Sequence, residues 1–128
     1  MIKAETKGIC VSVESNYLPL QSDPMHFSYV FMYTITISNN SDRSVQLLRR
    51  HWDIFDSNGE YRDVEGEGVV GETPVIEPND SFTYTSGCNL VTEMGKMSGT
   101  YLMKDLLSEQ EFQIIIPEFQ LITPGKLN

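Results

Sequence analysis

The chain is short of positive charge, of sulfur ligands and of long apolar runs, and each shortage removes a class of function. Nine Lys and Arg stand against eighteen Asp and Glu in 128 residues, a formal charge of −9. A field of that sign repels phosphate backbones and anionic headgroups, so neither nucleic acid held on a basic patch nor a membrane is an expected partner. No apolar run approaches the roughly 20 residues that span a bilayer. The first residues, Met1-Ile2-Lys3-Ala4-Glu5, lack the apolar stretch of a signal peptide, and a cytoplasmic location is expected. Two cysteines, Cys10 and Cys88, are too few for a disulfide scaffold and are read as small, partly buried thiols. The histidines, His26 and His51, begin no metal-ligand spacing, so zinc is unsupported. A nucleophile elbow of the G-x-S-x-G type is absent. The expectation is a non-enzymatic protein with no cofactor.

What the chain has in quantity is alternation. Ile9, Val11 and Val13 alternate with Cys10, Ser12 and Glu14, the period-2 pattern of a strand with one buried face. From Phe27 to Ser38 the aromatic and β-branched residues are so dense that a central strand is expected. Between Val45 and Phe55 the phase changes: Val45 and Leu47 share one face, while Leu48, Trp52 and Ile54 share the other. A bulge near Arg49-Arg50 accounts for the change, and burial on both faces serves as well. Asp56-Ser57-Asn58-Gly59 predicts a hairpin through Asn-Gly, returning over Glu60 to Glu65. Glu77-Pro78-Asn79-Asp80 predicts a second turn. Further strands are expected over Ser81 to Ser86, Gly99 to Lys104 and Glu111 to Ile116, with a terminal one at Phe119 and Leu121. Leu90 to Leu107 has apolar residues at helical spacing, but Gly95 and Gly99 each cost a helix about 1 kcal/mol, and loop then strand is favoured. The sum is one all-β domain over residues 1–128, two antiparallel sheets packed as a β-sandwich. Its core is expected at Trp52 with Phe31, Tyr33, Ile35, Phe82, Phe112 and Ile114.

Three groups of residues are candidates for chemistry. Gly66-Glu67-Gly68-Val69-Val70-Gly71 matches G-x-G-x-x-G. A dinucleotide site needs a buried strand before that motif and a helix after it. Here Tyr61 to Glu65 is short and polar, Pro74 and Pro78 follow, and Glu65, Glu67 and Glu72 repel phosphate, so a tight turn is expected. With Glu72 it forms a candidate ligand or partner loop. Asp63, Glu65, Glu67 and Glu72 are candidate oxygen ligands for a divalent cation, set against the reading of a solvated acidic loop. Arg49 and Arg50 are candidate anion contacts. Arg50 shares the face of Trp52, where it can stack on the ring or hold a carboxylate, and the preferred reading is a guanidinium at the sheet margin paired with one of the many acids.

The chain also resembles a known family. Tyr17-Leu18, Gln21-Ser22, Tyr29 to Ile37, Val45-Gln46-Leu47, Arg50-His51-Trp52 and the Gly66 to Gly71 loop with Pro74 look like the ApaG family, also called ApaG/CorD-like. So do Tyr84-Thr85-Ser86-Gly87, Gly95 to Tyr101 and Ile116-Pro117-Glu118-Phe119. The likeness runs from about Gly8 to Leu121. It implies an immunoglobulin- or fibronectin type III-like sandwich and no established catalytic residues. It implies a link to cobalt and magnesium homeostasis in bacteria, beside genes of dinucleoside polyphosphate metabolism and rRNA dimethylation. Eukaryotic relatives carry the domain in F-box and polymerase-interacting proteins, where it is read as protein-binding. The sequence departs from the family at Asn79 and at Leu106 to Gln110. The expected function is a module docking a protein partner through a sheet edge or the glycine loop, as a monomer or weak homodimer. The alternative is a binder of a divalent cation or a small phosphate compound.

Overall fold

Dense β-branched and aromatic residues in alternation favour extended chain, and they fold here into two stacked antiparallel sheets. The structure, a computed structural model, describes residues 1–126. The first sheet has the order β1-β2-β3-β7, from β1 (Ile2–Thr6), β2 (Ile9–Tyr17), β3 (Tyr29–Asn39) and β7 (Ser81–Leu90). The second has the order β5-β4-β8-β9, from β4 (Val45–Asp56), β5 (Tyr61–Glu67), β8 (Met94–Asp105) and β9 (Glu111–Ile122). A two-residue strand, β6 (Val75–Ile76), pairs with the start of β4. Helix is confined, among the described residues, to two 3-10 turns, Pro24–His26 and Pro124–Lys126. None is long and apolar enough to cross a membrane.

Strand β4 sets the geometry of the second sheet. Leu47 pairs with Met103 and Arg49 pairs with Leu102, so Leu48 is an extra residue. A bulge of this kind reverses the face on which later side chains emerge. Val45 and Leu47 are buried before it, and Trp52 and Ile54 are buried after it. The expected bulge thus exists, one residue earlier than Arg49, and Leu48 occupies it instead of sharing the face of Trp52. Strand β9 uses the same device. Met97 pairs with Phe119 and Gly99 with Ile116, leaving Pro117 and Glu118 opposite Ser98 alone. Proline cannot donate to the ladder and is tolerated at such a bulge. The two strands expected over 111–116 and 119–121 are therefore one.

Trp52 is 3 % exposed and stands edge-on to Tyr33 (centroids 5.4 Å), Phe119 (5.9 Å) and Tyr101 (6.5 Å). Such tilted contacts add to the large apolar area an indole removes from water. Phe31, Tyr33, Ile35 and Ile114 are buried as expected. Phe82 and Phe112 are corrections, being only partly buried against the core. Each stands one residue inside the start of its strand, at the margin of the core. Phe27 is likewise outside β3, exposed and left-handed (φ 56°) at the end of a 3-10 turn. The hairpin expected at Asn58-Gly59 is present, joining β4 to β5. Asp56 and Glu60 flank a three-residue loop, with only Gly59 at positive φ (95°). The segment expected as a long loop after Leu90 is strand from Met94, because Asp56 at the end of β4 accepts bonds from Val91 N and Thr92 Oγ1 and tightens the connection.

Trp52→Ala removes the centre of this core and is expected to cost about 3–5 kcal/mol. Urea unfolding followed by far-ultraviolet dichroism measures it, and an unchanged midpoint would take the indole out of the core.

Candidate functional site

Two sheets with free outer strands have two open sides, and the sequence treats them differently. On one side the edges are stitched together. Ile115 N donates to Thr6 Oγ1 (3.2 Å) and Ser15 Oγ donates to the Gln120 carbonyl (3.2 Å). On the other side β5 faces β7, and residues there are small where a core needs bulk: Gly66 on β5, Ser86, Gly87 and Cys88 on β7. The result is a cleft of roughly 570 Å³ whose floor includes Tyr33, Trp52 and Tyr84. That volume is in the range of small-ligand sites.

Arg50 lies inside this cleft because the bulge at Leu48 turns its side of β4 inward. Its Nη1 donates to the carbonyls of Glu67 (3.1 Å) and Gly68 (2.9 Å). The guanidinium rests against Gly66, where an added Cβ would lie 2.9 Å from Nη2 and 3.0 Å from Cζ. The first glycine of the motif therefore makes room for an arginine. The preferred pairing of Arg50 with an acid is a correction: among the described residues it forms no ion pair, and its fork is drawn to these two carbonyls instead. From the opposite end, Nη2 of Arg62 reaches across to the Asn89 carbonyl on β7 and lies 3.5 Å from the Cys88 sulfur. Cys88 and Cys10 are both free. Burial pushes the Cys88 thiol up, which leaves it a poor nucleophile.

The rest of the glycine motif forms the rim. Gly68 N donates to the carbonyl of Leu48, the bulge residue (2.8 Å). Val69 and Glu72 exchange backbone hydrogen bonds (2.8 and 2.9 Å) around Val70 (φ 45°) and Gly71 (φ 80°). This is a two-residue turn with both central residues left-handed. Gly68 (φ 63°) is obligatory for a different reason from Gly66, since a Cβ there would lie 2.1 Å from the Glu72 carbonyl oxygen. Val69 is buried, while Val70, a β-branched residue at a backbone angle it disfavours, is 53 % exposed. After the turn the chain enters β6, and the helix that would hold a pyrophosphate does not follow.

The outer face of the same two strands carries a separate cluster. Asp53 is paired with Asp63 and His51 with Glu65 across the ladder. His51 Nδ1 lies 2.7 Å from Glu65 Oε1, and Nε2 lies 3.1 Å from Asp53 and 3.8 Å from Asp63. These bonds, that from Glu65 foremost, raise the His51 pKa above the ordinary 6.5. The Asp63 carboxyl is pushed up chiefly by its hydrogen bond to Asp53, whose own value that bond and His51 hold down. One ligand atom each from His51, Asp53 and Asp63 falls within 4.8 Å of the others, close enough for one metal ion.

The structure thus divides the expected sites. Arg50, Glu67 and Gly71 line the cleft, Gly66 lies behind the Arg50 guanidinium, and Gly68 and Glu72 close the turn at its rim. Arg49 is exposed on the outer face, opposite Glu67, and is separated from Arg50. Asp63 and Glu65 join His51 and Asp53, and neither Glu67 nor Glu72 is in that group. Sequence reasoning missed Arg62, His51 and Asp53. Their signal was the spacing of two within strands: His51 with Asp53 on one face, Arg62 with Val64 and Gly66 on the other.

A family model described as the ApaG domain matches residues 19–105. Protein ApaG of Brucella canis is 50 % identical over 124 residues, spanning 97 % of this chain and 95 % of the relative. Protein ApaG of Methylobacterium radiotolerans is 48 % identical over the same length, with the same coverage. A solved structure, the putative ApaA protein from Bordetella pertussis, superposes with a TM-score of 0.87 at 42 % identity, covering 91 % of this chain and 94 % of that one. An X-ray structure of a structural-genomics target gives 0.87 at 48 % identity, covering 94 % and 90 %.

Two outcomes follow from this geometry. Gly66→Ala presses on a side chain held by two hydrogen bonds and is expected to cost no more than about 1 kcal/mol, whereas Gly68→Ala, which meets a backbone carbonyl oxygen, should cost about 1–3. Thermal melts compare them, and equal losses would contradict the separate roles given to the two glycines. Because the folded pKa of His51 is raised, its stabilising contribution is full below pH 6.5 and is lost as pH climbs through the folded value. Glu65→Gln should lower the imidazole midpoint in a proton NMR titration, and an unmoved midpoint would remove Glu65 as the cause.

Proposed function

The chain belongs to the ApaG family, and from that premise we propose that it is a non-enzymatic, cytoplasmic binding module that docks a protein partner at the cleft between β5 and β7. The observation that carries this reading is the cleft itself. It joins an aromatic floor to two free strand edges and a hydrogen-bonded rim from which Val70 projects. An unpaired edge offers backbone donors and acceptors to an incoming extended segment, and the floor offers apolar area. Holding a β-branched side chain left-handed and half in water costs stability locally, and such strain gathers at functional surfaces. A photo-crosslinking residue in place of Val70 tests the site, with Ile115, 57 % exposed on the stitched side, as control. The expected result is one specific adduct from position 70, lost in competition with unmodified protein. Absence of an adduct, or the same adduct from both positions, would overturn it.

The outer cluster supports a second reading, a divalent cation held by His51, Asp53 and Asp63 with Glu65 orienting the ring from Nδ1. An imidazole among carboxylates favours cobalt over magnesium. Calorimetric titration with cobalt is expected to show heat that grows with pH, as His51 gives up its proton, and that Asp63→Asn removes. Heatless injections at about 1 mM metal would end this reading.

A further inference from the structure

We propose that the cleft between β5 and β7 is an oxyanion site, in which Arg50 receives a carboxylate or phosphate group of whatever enters. The inference rests on the docking site proposed above and names the chemistry that site recognises.

The first support is a charge imbalance. Acids outnumber bases two to one in this chain, and among the described residues they pair with Arg43, Lys96 and Lys104. Neither Arg50 nor Arg62 is among the ion pairs of the described residues, although both line the cleft. Arg50 is half-buried without a counter-ion in a molecule rich in carboxylates, and so is positioned for an anion supplied from outside, while Arg62 is exposed at the edge of the cleft.

The second support is preorganisation. Arg50 is engaged through Nη1 alone, by two backbone carbonyls, and Gly66 gives its plane a flat seat. The fork is thus fixed in place before a ligand arrives, which lowers the entropy lost on binding. Arg62 is tethered in the same manner to the Asn89 carbonyl. It is paired across from Ile54, four residues along β4 from Arg50, or roughly 13 Å at the rise of a strand. The cleft is therefore cationic at both ends and apolar between them, over Trp52 and Val64.

The third support is the neutral donors. Ser86, Tyr33 and Tyr84 line the same cleft. Burial pushes both phenols up, so they stay protonated; Tyr33 is hydrogen-bonded to Ser86, and the Tyr84 hydroxyl is bonded to that of Tyr101. Glu67 is the acidic residue lining the cleft, and its carbonyl is what accepts from Arg50.

Trp52 is the only tryptophan and forms part of the cleft wall, so its fluorescence reports occupancy. One arm titrates inorganic phosphate and pyrophosphate, representing a free phosphate compound. The other titrates blocked Leu-Glu-Leu tripeptide against Leu-Gln-Leu, representing an acidic side chain of a docked segment. The expected result is a saturable change in at least one arm with Kd on the order of 1 mM or tighter. Arg50→Gln should weaken it about tenfold or more, and Arg49→Gln should leave it unchanged. Should Arg50→Gln fail to fold, the Nε–H resonance of Arg50 in the unaltered protein must shift along the same binding curve. No saturable response in either arm, equal effects of the two substitutions, or an unmoved Nε–H resonance would overturn the proposal. A crosslinked partner at position 70 with no anion response would sink this inference alone, leaving the docking site standing.

Discussion

The extra residue in β4 is the constraint on which the rest depends. Without Leu48 as a bulge, the face that buries Val45 and Leu47 would go on to bury Arg49, His51 and Asp53, and Trp52 would meet solvent. A sheet cannot compromise between those alternatives, because a slip of one residue exchanges every side chain between faces. The bulge thus seats the indole in the core, points Arg50 into the cleft and sends His51 and Asp53 outside. Its carbonyl also accepts from Gly68 N, so the same residue that sets the parity anchors the turn at the cleft rim.

The cleft follows from what lies beyond that point. Most of the interior is filled by Ile, Leu, Met and aromatic side chains, close-packed in the usual way. Toward β5 and β7 the side chains shrink, and two arginines span the space using backbone carbonyls as acceptors. Guanidinium groups are suited to this, since five fixed donors allow one nitrogen to hold position while others remain for a ligand. Arg62 also occupies one edge carbonyl of β7, that of Asn89. An acidic outer surface and a cationic recess coexist because the bulge separates them onto opposite faces of β4.

Much of this architecture was legible in the residues. Long alternating runs give β2, β3 and β4 directly, and the change of phase after Leu47 fits a bulge or burial on both faces, which only the register of β4 on β8 separates. What was illegible lies where one residue type serves two purposes. Lys7-Gly8 forms a tight turn (φ 51° and 82°) without the Asn-Gly signature, so β1 passed unseen. Pro117 reads as a strand end but marks a bulge inside β9. Gly66 and Gly68 look like members of one motif, yet one clears space for a guanidinium and the other for a carbonyl oxygen. The pairing of Asp53 with Asp63 and His51 with Glu65 needs the register of β4 on β5, which no local pattern encodes. The residues of the cleft come from five different strands, and only the folded chain brings them together.

The parity of β4 can be read residue by residue through thiol labelling, in a background where Cys10 and Cys88 are replaced by serine. Single substitutions Leu47→Cys, Arg49→Cys, Asp53→Cys and Ile54→Cys sample both sides of the bulge. Slow labelling at 47 and 54 with fast labelling at 49 and 53 is the outcome expected of a chain whose facing reverses at Leu48. Equal rates at 47, 49 and 53 would mean an unbroken strand, and with it neither the inward arginine nor the cleft would stand.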